Sequence, residues 1–348
     1  MKVTYVALDP LRYPRVKKIA YSLKKFPNVE FRVLVPRLHL VTHGGFFRRV
    51  MNAVVNYLML LLQIFFVKSD IFWVANCPDI LVVPLIVRKK AYILEYRSPW
   101  PLEVEREIGF KIFVWLAELF ERTALNHARV ITLTTSKLVA RIKHFRKLFF
   151  VIPNYPLRSF GKFNLDSSIF REKHGCLGNI KIVLFVGRLT RVEGADFLPA
   201  IIENVFKRTN NVVFWIVGDG PFYSELENFS RRYPDRLKLF GWQPYGKIPN
   251  FIASADVCIV PRHKSLFSIF YNEEGLQKLS EYMFFKKPIV ACGVAKSAEY
   301  LLVGEDEVAD GILRALRGEV PPSRCRTWEE YSEKKIYEML NLILSGKI

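Results

Sequence analysis

Residues 272–292 read NEEGLQKLSEYMFFKKPIVAC, an acidic loop that runs into a helix and then into a buried strand. Glu273 and Glu281 are eight positions apart, with Leu276, Leu279, Tyr282 and Met283 around them at helical spacing. If Glu273 sits just before the first turn, a rise of 1.5 Å per residue sets the two carboxylates roughly 12 Å apart along one side of the helix. That span suits a ligand larger than a metal ion. Lys286-Lys287-Pro288 ends the helix, the cations matching its negative C-terminal end and the proline stopping it. Ile289 to Ala291 then reads as a short parallel strand. A helix whose first N–H groups lack partners and face a ligand is an anion site.

Upstream, Lys181 to Val186 and Val212 to Val217 read as strands. Each runs into glycine, Gly187-Arg188-Leu189 in one case and Gly218-Asp219-Gly220-Pro221 in the other. Helices are expected at Asp196 to Lys207 and Tyr223 to Tyr233, and further strands at Leu237 to Phe240 and Val257 to Val260. Glycine turns at the carboxyl edge of a parallel sheet face ligands, and Arg188 there can meet a diphosphate bidentately. A surface arginine in an ordinary turn has the same local signature.

In order and spacing, VGRLTRVEGADFL (186–198), VGDGP (217–221), FGW (240–242), IPNFIASADVCIVP (248–261) and the Glu-x7-Glu helix resemble the C-terminal domain of the retaining GT-B glycosyltransferases of the family-4 type, the glycosyl transferases group 1. More faintly, VITLTTSKLVARI (130–142) and VIPNYP (151–156) resemble the end of that family's first domain. The resemblance implies an α/β fold of two Rossmann-like domains facing a cleft. Residues 1–160 would bind the acceptor and 161–326 the nucleotide sugar, and residues 327–348 would form a helix returning to the first domain. It implies a donor site of Gly187, Arg188, Arg191, Gly218, Glu273, Leu279 and Glu281, with Glu281 on the ribose and Glu273 on the transferred sugar. Glu273 and Arg188 would be the catalytic residues. The implied reaction moves a hexose-type sugar from a nucleotide-diphosphate donor to a hydroxyl with retention of configuration, without a metal or other cofactor. Arg188, helix N-termini and backbone N–H groups would then stabilise the leaving diphosphate.

The chain departs from the family at Glu193-Gly194, where a lysine normally precedes the glycine and pairs with the arginine on the diphosphate. A carboxylate there repels phosphate. Either Arg191 substitutes or donor binding is altered. The paired glycines often found in the family's first turn are also missing from Pro10 to Pro14, and Gly44-Gly45 follows the second strand instead.

At 348 residues the chain accommodates two domains with cores of their own. With 51% hydrophobic and 24% charged residues it is globular, which excludes a disordered chain. Five cysteines without metal spacing read as buried reduced thiols. Met1-Lys2 leads directly into a strand with no cleavage pattern, which points to a cytoplasmic protein. The net charge of +19 is uneven: residues 1–160 hold 26 Lys and Arg against 10 Asp and Glu, and residues 161–348 hold 26 against 23. Such a field fits an anionic partner.

The first half alternates strands (Val3 to Leu8, Phe31 to Val35, Asp70 to Ala75, Ala91 to Tyr96, Val130 to Thr134, Phe149 to Ile152) with helices. Arg15 to Phe26 is amphipathic, and Ser136 would cap a helix from Lys137 to Phe145. Val50 to Val67 is an 18-residue apolar run with basic flanks. Its Asn52, Asn56 and Gln63 oppose a membrane span, so a helix packed on the sheet and partly exposed is expected. A single long helix is expected from Glu103 to Asn126, with Phe110, Phe113, Val114, Ala117, Leu119 and Phe120 on its apolar side. Ser159 to Asn164 reads as the hinge. Arg15, Arg97 (after a strand end) and His263 form the candidate acceptor side, since an anionic acceptor needs cations.

The partners these readings imply are a nucleotide-sugar donor, an anionic or lipid-linked acceptor and an anionic membrane surface touched peripherally at the inner face of the cell membrane. Nucleic acid is disfavoured, because no reader motif occurs and Phe113, Trp115 and Phe120 sit at core spacing. A nucleotide-sugar epimerase or hydrolase would need a placed acid–base pair, and none stands out. A catalytically silent relative, or an anion-binding protein, remains the alternative.

Overall fold

Among the described residues, twelve short strands form two parallel sheets of six, one in each of two units. The computed structural model describes residues 1–8, 14–35, 46–162 and 166–347, with only the backbone for 46–53. The turn at Pro10 to Pro14, apart from Pro14 itself, and Gly44-Gly45 therefore lie outside the described residues. Unit 1 comprises Met1–Pro153 with Tyr331–Ile348, and unit 2 comprises Asn154–Glu330.

The strands of unit 1 are β1 (Lys2–Val6), β2 (Glu30–Leu34), β3 (Ile71–Ala75), β4 (Tyr92–Tyr96), β5 (Val130–Leu133) and β6 (Phe149–Val151), in the spatial order β2-β1-β3-β4-β5-β6. Those of unit 2 are β7 (Lys181–Val186), β8 (Val212–Val217), β9 (Leu237–Leu239), β10 (Val257–Pro261), β11 (Ile289–Cys292) and β12 (Leu301–Leu302), ordered β12-β11-β10-β7-β8-β9. Alternate side chains of β7 enter different cores: Val183 and Phe185 pack on one face, Ile182 and Leu184 on the other. Burial on both faces explains why these strands read as unbroken apolar runs. Strand order reverses between β1 and β3 in one sheet and between β7 and β10 in the other, and crevices at the carboxyl ends of such neighbours are where open α/β sheets bind ligands.

The unit boundary falls at Pro153, not at residue 160. Asn154 N–H donates to Glu274 O (2.6 Å), and the Arg326 guanidinium donates to Tyr155 Oη (3.0 Å). These contacts tie residues 154 and 155 into unit 2. The return is also later than residue 327, because Trp328 is fully buried and donates its backbone N–H to Pro156 O (2.8 Å). Helix Ser332–Leu344 then packs against β6 and helix Pro14–Leu23 of unit 1, where Lys25 pairs with Glu333 (2.9 Å).

The expected helix from Glu103 to Asn126 is two helices, Trp100–Glu107 and Lys111–His127, broken at Gly109, whose φ of +74° suits glycine. The second helix buries Ala117, Glu121, Ala124 and Leu125, whereas Phe110, Ile112, Phe113, Trp115 and Leu119 are exposed. The expectation that Phe110, Phe113 and Leu119 face the core is therefore overturned, as is core packing for Trp115. Helix Phe46–Phe66 behaves alike: Leu60 and Ile64 are buried, and Val54, Val55, Leu58, Leu62, Phe65 and Phe66 are exposed. Right-handed crossovers place both helices on one side of the sheet, and both touch the turn Asp79–Val82. Among the described residues no helix is long and apolar enough to cross a membrane. The cap before Lys137 is Thr135, whose hydroxyl accepts from Lys137 N–H (3.1 Å), and not Ser136. All five cysteines are free thiols, three of them buried.

Candidate functional site

In unit 2 the loops after β7, β8 and β10 interlock at backbone distance. A Cβ on Gly218 would fall 1.8 Å from Gly187 O, and one on Gly194 would fall 1.4 Å from Pro261 O, so neither position admits a side chain. Leu189 N–H donates to Asp219 O (3.0 Å) and Phe222 N–H to Leu189 O (3.1 Å). Gly187, Arg188 and Gly218 are thereby brought to one edge of the sheet. Leu189 is fully buried and anchors the turn, leaving Arg188 exposed. Among the described residues Arg188 makes no recorded ion pair or side-chain hydrogen bond.

Arg191, the candidate substitute for the family's lysine, has an acidic neighbour. It is 79% exposed and lies 3.6 Å from Asp196. Asp196 in turn holds His263 Nε2 at 2.8 Å, and the His263 ring packs on Phe197. His263 is therefore a clamped side chain of unit 2 rather than a loose loop residue. Glu193 does not present a bare negative charge, because it is bonded by the Arg262 guanidinium and lies 2.6 Å from Lys278 Nζ. Burial alone would push its carboxyl up. Lys278 and Arg262 outweigh burial and hold it at about 2.

A carboxyl depressed in the fold stabilises it above the unfolded pKa, and that stability is lost as pH falls through the folded value. The window for Glu193 runs from the ordinary 4.5 down to about 2, and the shift corresponds to something on the order of 3 kcal/mol. Urea unfolding across that range is expected to show wild type losing more stability than Glu193→Gln. Parallel curves would contradict the ion-pair assignment.

The Glu-x7-Glu stretch differs from one continuous helix. The helix is Gln277–Phe284, and Glu273 precedes it within a turn closed by Asn272, whose backbone O accepts from Gly275 N–H (3.2 Å) and Leu276 N–H (2.8 Å). The two glutamates are thus not on one side of a single helix, and the 12 Å helical spacing does not apply. Glu281 is buried, accepts from Gln277 Nε2 (2.5 Å) and is bonded by the Tyr245 hydroxyl. Glu273 is 7% exposed, and its Oε2 is buried with no hydrogen-bond partner. Burial raises its pKa, against its own backbone N–H and Ser297. Leu279 is fully buried among Ile182, Leu184 and Met283 and belongs to the core.

In unit 1, Arg15 and Arg97 converge on a carboxylate that sequence reading passed over. Glu95 of β4 is fully buried, accepts from Arg15 Nε (2.5 Å) and Arg97 Nε (3.0 Å) on Oε1, and accepts from Tyr5 Oη (2.9 Å) on Oε2. Burial raises its pKa, but Arg97 and Arg15 prevail and keep it at about 2. Asn76, after β3, accepts from Arg97 N–H (2.8 Å) and donates to Ser98 O (2.6 Å), pinning the loop after β4. A carboxylate inside the apolar strand YILEY is itself a signal, since a buried charge needs a partner. Lys278, Arg262 and Asn272 had no such signal. Among the described residues no three His, Cys, Asp or Glu are grouped to hold a metal.

Residues 180–317 match the sequence profile of the family described as Glycosyl transferases group 1. Alpha-D-kanosaminyltransferase of Streptomyces kanamyceticus is 27% identical over 259 residues, covering 68% of this chain and 62% of that protein. The Phosphatidylinositol N-acetylglucosaminyltransferase GPI3 subunit of Saccharomyces cerevisiae (strain YJM789) is 28% identical over 163 residues, 45% of this chain and 35% of that protein. The chain thus spans less than two thirds of the length of either relative. Among solved structures, Anabaena Alr3699/HepE in complex with UDP superposes with a TM-score of 0.62 at 14% identity, covering 99% of this chain and 100% of that one, which is a likeness of fold. The two sheets have the GT-B architecture, and the match to the glycosyl transferases group 1 profile lies within unit 2.

Proposed function

We propose that this chain is a glycosyltransferase that moves a hexose-type sugar from a nucleotide-diphosphate donor to a hydroxyl acceptor, with retention and without a metal. The observation that carries this reading is the edge of unit 2 at the β7/β10 reversal, where Arg188 stands exposed on a turn built from Gly187 and Gly218. A guanidinium there can bind a diphosphate bidentately and stabilise the charge developing on it as the glycosidic bond breaks. Glu273, with one buried oxygen unpartnered, can accept a sugar hydroxyl. The family match and the UDP complex of a protein of the same fold support a nucleotide-sugar donor. The test is transfer from a panel of nucleotide sugars, with the anomer of the product read by NMR. Product of inverted configuration would refute retention, and release of free nucleotide at the buffer rate for every donor would refute the enzyme.

The acceptor in this reading is lipid-linked and is met at the inner face of an anionic membrane that unit 1 touches peripherally. Supporting it are the exposed apolar faces of Phe46–Phe66 and Lys111–His127 on one side of the sheet, and the excess of cations in residues 1–160. The relative whose name specifies phosphatidylinositol adds a lipid precedent. Each basic residue near such a surface contributes about 1 kcal/mol, so four or five suffice for salt-sensitive docking. Sedimentation with vesicles is expected to show binding to anionic lipid at low salt and release at high salt. Equal binding to anionic and neutral vesicles, or to neither, would favour a soluble saccharide acceptor.

A further inference from the structure

Three ionisable side chains from three segments meet beneath the Gly187–Arg188 turn. Glu193, from the loop after β7, is bonded on Oε1 by Arg262 from the loop after β10, and its Oε2 lies 2.6 Å from Nζ of Lys278 on helix Gln277–Phe284. The side chains of Arg262, Lys278 and Glu193 are only 6%, 12% and 20% exposed. Lys278 Nζ stands 4.7 Å from the Phe185 ring centroid and against the turn itself, since a Cβ on Gly187 would come within 2.5 Å of it. Two cations share one carboxylate, so these three side chains together carry one positive charge, with the buried Glu281 carboxylate as a further electrostatic neighbour of Lys278. Burial works to strip the proton from Lys278, and Glu193 opposes that loss.

A surplus buried charge is costly unless an opposite charge approaches it. The side of this cluster that holds Gly187 leads to the one exposed arginine of the same turn, which makes an anion bound at Arg188 the natural counter-charge. We propose that Arg262, Glu193 and Lys278 form a fixed positive element behind the donor site, whose net charge, one cation in excess of the Glu193 carboxylate, is felt by the donor's diphosphate. The inference rests on the donor reading given above. Lys278 is a positioning residue here, because protein atoms cover its ammonium and it acts on the diphosphate through the Gly187–Arg188 turn.

A purely structural clamp and a charge source respond differently to substitution. Lys278→Met takes the cluster from +1 to neutral, whereas Glu193→Gln leaves it at +1 if Lys278 sheds its proton and at +2 if Lys278 keeps it, while both break the same ion pair. Calorimetric affinities for uridine, guanosine, adenosine and thymidine diphosphates and for inorganic pyrophosphate, on the full chain and both variants, separate the two. The expected result is about tenfold weaker binding in Lys278→Met and unchanged or tighter binding in Glu193→Gln, with pyrophosphate following the nucleotide that binds. Weakening in both variants, or no change in Lys278→Met, overturns the proposal and leaves the donor reading standing. Should Lys278→Met fail to fold, the Glu193→Gln arm decides alone, weaker binding again overturning it. A wild-type chain that binds none of the five probes overturns the proposal and the donor reading together.

Discussion

Arg188→Ala is expected to lower turnover of the nucleotide-sugar donor by about 10²–10³-fold, the usual cost of removing one preorganised charge from a developing oxyanion. Its thermal midpoint is expected to stay within a degree or so of wild type, because surface substitutions away from packing features rarely matter to stability. The side chain is exposed, and the anchoring of the turn falls to buried Leu189 and to the glycine contacts. Arg188→Lys keeps the charge but loses the two-pronged geometry, so it should recover only part of the rate. Full turnover in purified Arg188→Ala would remove Arg188 from the site, whatever the fold.

The largest expected effect on stability is that of Glu95→Ala. Arg15 is 4% exposed, and Glu95 holds it together with Arg97 and Tyr5 at the carboxyl edge of the first sheet. Removing the shared carboxylate leaves two guanidinium groups facing each other, one of them deeply buried. Breaking a buried pair this way costs roughly 3–5 kcal/mol. The urea midpoint reports it, and Glu95→Gln should recover the hydrogen-bond shape without the charge and so fall between. A loss below about 1 kcal/mol would place the cluster among ordinary surface ion pairs. The same carboxylate orients both candidate acceptor-side arginines of unit 1, so Glu95→Gln is also a probe of acceptor affinity.

Strands β7 and β8 were legible to the residue, because a strand buried on both faces leaves an unmistakable apolar run ending at glycine. The long helix was not, for a physical reason. The apolar stripe of Phe110, Phe113, Ala117 and Phe120 lies wholly after Gly109, and the same stripe results whether it faces a core or an external surface. The unit boundary was misplaced because Gly161 looks like a hinge, while the contacts that decide it, Asn154 to Glu274 and Tyr155 to Arg326, join residues far apart in sequence. In the candidate site, the glycine turns and Arg188 could be read directly. The meaning of Glu193 could not, since its partners Arg262 and Lys278 lie 69 and 85 positions away and only the sheet order brings them together.

The thermal midpoint of the wild-type chain and of Arg188→Ala, with and without saturating nucleoside diphosphates, tests the central claim most directly. At a hundred times the dissociation constant, binding stabilises the fold by about 2.7 kcal/mol, a rise of roughly 5–10 °C for a unit of this size. Wild type is expected to show that rise with at least one base and Arg188→Ala to show little of it. No shift with any nucleoside diphosphate, or the same shift in both proteins, would contradict a donor site at the β7 turn.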